Sequence, residues 1–237
     1  MKRLLLLIFL VIGFTGFSQH ENYSKPWTRW WWLGNIVTEE GITQSLEDFN
    51  KAGFGGVEIV PLYGVEGQEA NEIDFLSEKW VSMVDHTIKE AARLGMNVDV
   101  TLGTGWPFGG PQITPETSAQ KYSIDHFPAE GKTGRLYQKK IETEKFEKIE
   151  VISAVDKTGR SILLTDKLQA NGNFEWKLPK GNWTIYVLKS GITGQKVKRA
   201  SPGGAGLVMD HYSRKALSAY LHRFDSVFAK HPIKPRS

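Results

Sequence analysis

The 237-residue sequence predicts an α/β fold in which a parallel sheet is interrupted by an antiparallel β-rich module. Three observations carry this. Residues 26–112 alternate short bulky runs with segments that are apolar at helical spacing. Each helical segment stops at a glycine, Gly53 or Gly95, just before the next bulky run. Beyond residue 113 the period shortens to two, with Phe174, Trp176 and Leu178 alternating with Glu175 and Lys177. That is the mark of a half-buried antiparallel strand.

The chain opens with Lys2 and Arg3, an apolar run from Leu4 to Phe14, and the small residues of Gly16-Phe17-Ser18 before Gln19. This reads as a signal peptide over residues 1–18; the apolar run is too short for a membrane span. A retained N-terminal anchor is the competing reading, and the flanks argue against it. The expected location is therefore secreted or periplasmic, with no membrane partner once the peptide is cleaved. With no Cys anywhere there is neither a lipid-attachment cysteine nor a disulfide, so stability must come from core burial. Removing residues 1–18 lowers the net charge from +4 to +2, because Lys2 and Arg3 are its only charges. With no concentrated basic patch either, a nucleic-acid partner is excluded.

"TRWWWLGN" (28–35) predicts a strand ending in a Gly-Asn turn. Thr38 is placed to cap a helix with Glu39 and Glu40 in its first turn, which suits the helix dipole. Ile42, Ser45, Leu46, Phe49 and Ala52 recur at helical spacing, and Gly53 suits the residue beyond the C-cap. "GGVEIVPLYG" (55–64) is the next strand and loop. Ser77 caps a second helix with Trp80, Met83, Val84, Ile88, Ala91 and Leu94 on its apolar face. His86 falls on the polar face and reads as solvated. "MNVDVTL" (96–102) is the third strand, followed by "TLGTGWPFGGP" (101–111), whose glycines and prolines fit only a shaped loop.

Strands joined through single helices are expected to run parallel, and ligands gather at their carboxyl ends. Asn35, Tyr63 and Trp106 fall at such ends. In the module, residues 149–155, 161–164, 174–178 and 183–188 read as strands, with turn signals at Asn171-Gly172 and Lys180-Gly181-Asn182. "SPGGAG" (201–206) is a hinge or loop. A last helix from Ser213 carries Ala216, Leu217, Tyr220, Leu221, Phe224 and Phe228 on one side.

Parity within the strands puts Glu58 and Asp99 on one face, away from the helices, with Arg29 and Trp31 on the same side of the first strand. A buried carboxylate needs a partner or a task. An ion network with Arg29 and a ligand- or metal-binding role stand level for the two acids. Trp32, of opposite parity, belongs with the core. Trp106, mounted among glycines, is a candidate platform for the apolar face of a sugar, with glycine letting the ligand approach the backbone. A helix cap by Asp210 or Ser213 explains "DHYS" as well as ligand binding does. HExxH, a phosphate-binding loop, GxGxxG behind a strand and GxSxG are all absent.

"WWWLGNIVTEEGI", "AGFGGVEIVPLYG", "DFLSEKW", "EAARLGMNVDVTLGTGWPFGGP" and "VKRASPGGAGLVMDHYS" together resemble the N-terminal part of the alpha-L-rhamnosidases of glycoside hydrolase family 106. The resemblance covers most of the chain beyond residue 18 and is strongest over 27–111. It implies an incomplete (β/α)8 TIM-type barrel, with the first three βα units at 26–112. A β-rich insertion would occupy 113–200, and 201–237 would return to the barrel. It implies inverting removal of terminal alpha-L-rhamnose from a rhamnose-containing glycan, with calcium as a cofactor. Inversion needs two carboxyl groups about 6.5–9.5 Å apart. Family members run to several times this length, and their catalytic glutamates come from later strands, so the resemblance supplies no catalytic residue here. It does mark Asn35, Glu58, Trp106 and Asp210 as substrate-binding candidates. It leads to the expectation that this chain is inactive alone. A non-catalytic carbohydrate-binding protein derived from a hydrolase is the alternative, and another glycosidase specificity stays open.

Overall fold

The computed structural model describes residues 25–131 and 134–231; the expected signal peptide lies outside them. The chain divides into two units. The first holds the residues up to Gln112, then Lys196–Gly206, and those from Ser218 on. The second holds Ile113–Gln195 and Leu207–Leu217.

In the first unit, strands β1 (Trp27–Leu33), β2 (Gly56–Leu62) and β3 (Asn97–Val100) form a parallel sheet in sequence order. The register sets Arg29 beside Glu58 and Glu58 beside Asp99. Period-two alternation sorts the tryptophans of β1. Trp32 is 1% exposed, while Trp31 on the other face is 57% exposed. The Trp32 ring packs edge-on against Trp30 and Trp80, and Trp30 against Phe49, so the inward rings meet the helices.

Helix α1 (Glu39–Lys51) starts where the Thr38 hydroxyl accepts from Gly41 N at 3.1 Å, satisfying one of the free amides of the first turn. Ile42 and Leu46 are its buried residues. Helix α2 (Glu78–Arg93) is capped in the same way by Ser77, which accepts from Trp80 N. Its buried face is broader than the apolar pattern indicates. Val81 and Thr87 are buried with Trp80, Met83, Val84 and Ala91, whereas Ile88 is only half-buried. The Thr87 hydroxyl tolerates burial because it donates to Met83 O at 2.7 Å. His86 is not simply solvated: Nε2 lies 3.0 Å from the Thr43 hydroxyl and 3.1 Å from Glu39 O, linking α2 to α1. In helix α3 (Arg214–Lys230), Tyr220 and Phe224 are buried, but Leu217 and Leu221 are exposed, so the buried stripe is narrower than expected.

The barrel is overturned. The parallel sheet holds three strands, and β3 runs into the 101–111 loop instead of the helix a third βα unit requires. All the longer strands beyond it belong to antiparallel sheets, so the described residues are β-rich with three α-helices. The physical reason is local: glycine and proline in "GTGWPFGGP" cannot nucleate a helix.

The second unit contains β4 (Gln120–Gly131), β5 (Leu136–Lys140), β6 (Glu147–Asp156), β7 (Ser161–Leu163), β8 (Asn173–Lys177) and β9 (Gly181–Ile192). A four-stranded sheet has the order β4-β9-β6-β7, and β5 pairs with β8 in a second sheet. Alternate residues of each sheet form one core, including Ile152, Ile185 and Val187 with Phe174, Trp176, Leu178 and Trp183. Trp176 and Trp183 meet edge-on at 5.5 Å. Strands β4 and β5 escape a reading of the sequence because their apolar and polar residues do not sort by face: in β4, Tyr122, Ile124 and His126 point outward and Asp125 inward. Pro128 is tolerated in β4 because that strand lies at the sheet edge. Lys189, on the inward face of β9, is neutralised by Asp125 at 2.8 Å and Glu147 at 3.5 Å and also donates to Glu142 O. Burial alone would lower its pKa, but these two acids outweigh that and raise it.

Candidate functional site

The loop after β3 is held by a second stretch of the first unit, Lys196–Gly206. Trp106 N donates to Lys198 O at 3.0 Å and Lys198 N returns to Trp106 O at 2.9 Å. Ser201 N donates to Thr104 O at 3.1 Å, and Tyr63 N to Arg199 O at 3.1 Å, so the same stretch also joins the carboxyl end of β2. Phe75 N donates to Pro202 O, and the Arg223 guanidinium, from α3, donates to Gly203 O and Phe75 O.

These contacts explain the glycines. A Cβ on Gly105 would collide with the Lys198 carbonyl oxygen, and one on Gly103 would enter the Phe108 ring. Glycine here admits a neighbouring strand of backbone and an aromatic ring, not the ligand the sequence suggested. Phe108 in turn stacks on Tyr220 with planes 9° apart, and the Tyr220 hydroxyl donates to Leu102 O. Burial pushes the Tyr220 phenol up to about 12, so it stays a neutral donor.

The loop is thus fixed from both sides while the Trp106 ring remains 47% exposed. The Trp106–Pro107 peptide is cis. Tyr63, 39% exposed, carries the Arg199 guanidinium over its ring at 4.9 Å. Lys198 and Arg199 are both exposed. The surface at the strand ends therefore combines two half-exposed aromatic rings with two cations.

On the sheet face, Glu58 accepts from Arg29 Nε at 2.9 Å and from the Thr101 hydroxyl at 2.7 Å. Its side chain is 33% exposed and that of Arg29 63%, so the pair is not buried in a closed interior as the sequence suggested. The Thr101 hydrogen bond, followed by Arg29, holds the carboxyl below the usual carboxylate range against the opposing effect of burial. Glu58 is therefore anionic at neutral pH. It can accept a ligand hydroxyl, but it cannot serve as a general acid. Asp99, beside it in the register, is exposed.

Asn35 is fully buried. Its Nδ2 donates to Ile73 O at 2.9 Å, its Oδ1 accepts from Trp80 Nε1 at 3.3 Å, and φ is 52°. The amide closes the turn after β1 and presents no polar atom to solvent. Asp210 belongs to the second unit, where its Oδ1 accepts from Tyr212 N at 2.9 Å. The cap of α3 is Ser213, whose hydroxyl accepts from Ala216 N. The structure thus joins Glu58 to Arg29 and Thr101, and Trp106 to Lys198. The sequence reading missed Thr101, Lys198, Arg199 and Tyr220. The stretch after Lys198 and Arg199 was read only as a hinge or loop, "SPGGAG", and Tyr220 only as part of the last helix's apolar side. Among the described residues no group of three or more His, Asp or Glu side chains is placed to hold a metal ion. Calcium stays what the resemblance implies, and none of the chemistry assigned to this chain involves it.

Compared with known proteins, the signature of glycoside hydrolase family 106, described as alpha-L-rhamnosidase, matches residues 19–157 and 123–232. A protein of Formosa agariphila named "Putative beta-glucuronidase" is 28% identical over 249 aligned residues, covering 87% of this chain and 21% of the relative. The solved rhamnosidase from Novosphingobium sp. PP1Y superposes with a TM-score of 0.59 at 14% identity, covering 91% of this chain and 37% of that one. At that identity the likeness is one of fold. This chain spans about a fifth of the curated relative's length and somewhat over a third of the solved rhamnosidase.

Proposed function

Since the chain belongs to glycoside hydrolase family 106, the alpha-L-rhamnosidases, we propose that its first unit supplies a wall of the sugar-binding site of a rhamnosidase-like hydrolase. The ligand is a terminal alpha-linked rhamnose of a glycan. Trp106 is the platform for the apolar face of the ring, and Glu58 accepts a hydroxyl. Asn35 acts beneath the surface as a turn residue, and Asp210, in the second unit, is a turn residue there. The carrying observation is the half-exposed Trp106, held at both its N–H and C=O by Lys198 in a loop whose glycines leave no slack. A preorganised ring loses little freedom on binding.

Hydrolysis needs an acid and a carboxylate at a set separation. Glu58 is unsuited to the acid role, and Asp99, the carboxyl beside it in the register, is exposed. The chain on its own therefore binds without turning over. Its place of action is outside the cytoplasm, reached through the signal peptide read at 1–18. No helix among the described residues is long and apolar enough to cross a membrane, which says nothing of a strand-built span.

Calorimetry with L-rhamnose tests the binding wall. Trp106→Ala is expected to weaken binding about tenfold, the loss of one aromatic stacking contact of about 1 kcal/mol or slightly more. Equal affinity of the two proteins, or no heat from the wild type, rejects the wall. Release of an aryl group from an aryl rhamnoside by the purified chain would overturn the claim of inactivity.

A further inference from the structure

We propose that the sugar wall at the strand ends selects a rhamnoside whose neighbouring sugar carries an acid group, a carboxylate or a sulfate ester, held by Lys198 and Arg199. This rests on the reading of Trp106 as the platform for terminal rhamnose, and adds to it the charge of the substrate.

Trp106, Lys198, Arg199 and Tyr63 all belong to the first unit. Trp106 and Lys198 are the directly opposed residues of an antiparallel bridge. Each donates its N–H to the other's carbonyl. Residues paired in this way send their side chains to the same side, with Cβ atoms about 5.5 Å apart. The Lys198 ammonium therefore stands beside the exposed indole, within reach of a sugar next to the one stacked there. Arg199, the following residue, sits at a φ of 59°. Glycine takes that left-handed conformation freely and arginine at a cost, so the position keeps its side chain against the preference of its backbone. That side chain lies over the Tyr63 ring at the end of β2. A guanidinium stacked by its face keeps its N–H edge free, and that edge fits the paired oxygens of a carboxylate or sulfate.

Neither cation is neutralised within the protein. Among the described residues, Lys198 and Arg199 have no acid at ion-pair distance and no side-chain hydrogen bond. Arg29, Arg93, Arg160 and Lys189, by contrast, each hold an acid. Residues 193–209 contain no Asp or Glu. Glu58 is already occupied by Arg29, and Glu66 and Glu72, on the loop after Tyr63, pair with neither cation. Two unpaired cations beside a stacking ring make a local positive field that draws in an anion. A neutral glycan would use the ring and leave both charges unanswered. An acidic one answers the ring and the charges together.

Calorimetry on the full chain compares a rhamnosyl galacturonate disaccharide with its methyl ester, which removes the charge. It also compares a rhamnosyl galactose 6-sulfate with the unsulfated disaccharide. At least one acid form is expected to bind about fivefold more tightly than its neutral partner, the effect of two exposed ion contacts. The pair that shows the preference identifies the group. Lys198→Gln and Arg199→Gln should each reduce that ratio to about twofold, and raised salt should reduce it in the wild type. The ratio is taken within each protein, so a general loss of affinity from a disturbed loop does not enter it. Equal binding of acid and neutral forms in both pairs overturns the proposal and leaves the Trp106 wall standing. A preference that neither salt nor the two substitutions diminish does the same. Absence of heat from all four ligands also overturns it, and the wall then stands or falls by whether L-rhamnose alone binds.

Discussion

Trp106 and Lys198 exchange two backbone hydrogen bonds, at 3.0 and 2.9 Å, although the whole of residues 113–195 separates them in sequence. The pair forms an isolated antiparallel bridge inside the first unit, so the orientation of the exposed indole depends on a distant stretch of chain. Long-range contacts of this kind close late and are sensitive to anything that widens the gap.

Gly105 is the sensitive point. Its missing Cβ leaves the space that the Lys198 carbonyl occupies, and the obstacle is backbone, which cannot swing aside. Gly105→Ala is expected to lose about 1–3 kcal/mol, the range for overpacking a close contact. Urea unfolding followed by tryptophan emission reads this directly. A variant as stable as the wild type would mean that the loop is not clasped as described.

Local chemistry was legible in the sequence where one residue decides the outcome. Thr38 and Ser77 cap their helices, Trp32 turns inward, and Phe174, Trp176 and Leu178 bury one strand face. The closure of the sheet was not legible. Parallel pairing comes from local helical spacing, but continuing the sheet past β3 requires another helix, and the glycines and prolines there do not permit one. The site was half legible for the same reason. Trp106 stood out because a large ring among glycines is rare. Lys198 and Arg199 carry no local pattern that marks them, and only the folded chain sets them against Trp106 and Tyr63.

Glu58 gives a pH prediction. Its folded-state pKa is lowered, chiefly by the Thr101 hydroxyl and then by Arg29. The stabilisation from a depressed carboxylate is present above the unfolded value of about 4.3 and disappears as pH falls through the lower folded value. Carbon-13 titration of the Glu58 carboxyl should therefore show a midpoint below the usual range. Thr101→Val should raise it by removing the leading cause. A midpoint that does not move would assign the shift to Arg29 alone. With the side chain 33% exposed, solvent screening keeps the accompanying stability change small.

Asn35 supplies the sharpest separation of a structural role from a ligand-binding one. Its amide satisfies the Ile73 carbonyl and the Trp80 indole N–H, both away from water, and its backbone sits at a φ of 52° that asparagine tolerates well. Asn35→Ala removes both partners and places alanine in the left-handed region. Each orphaned buried group costs about 1–3 kcal/mol, so a loss of several kcal/mol in chemical denaturation is expected. Asn35→Gly keeps the backbone comfortable but still leaves both partners unpaired, so it should recover only part of the loss. Asn35→Asp keeps the acceptor for Trp80 but offers no donor to Ile73 O, and it adds a buried charge, so it should be no better than alanine. A surface ligand contact predicts the reverse pattern, with stability untouched and only rhamnose affinity reduced. Parallel denaturation and calorimetry on the three variants decide between the two.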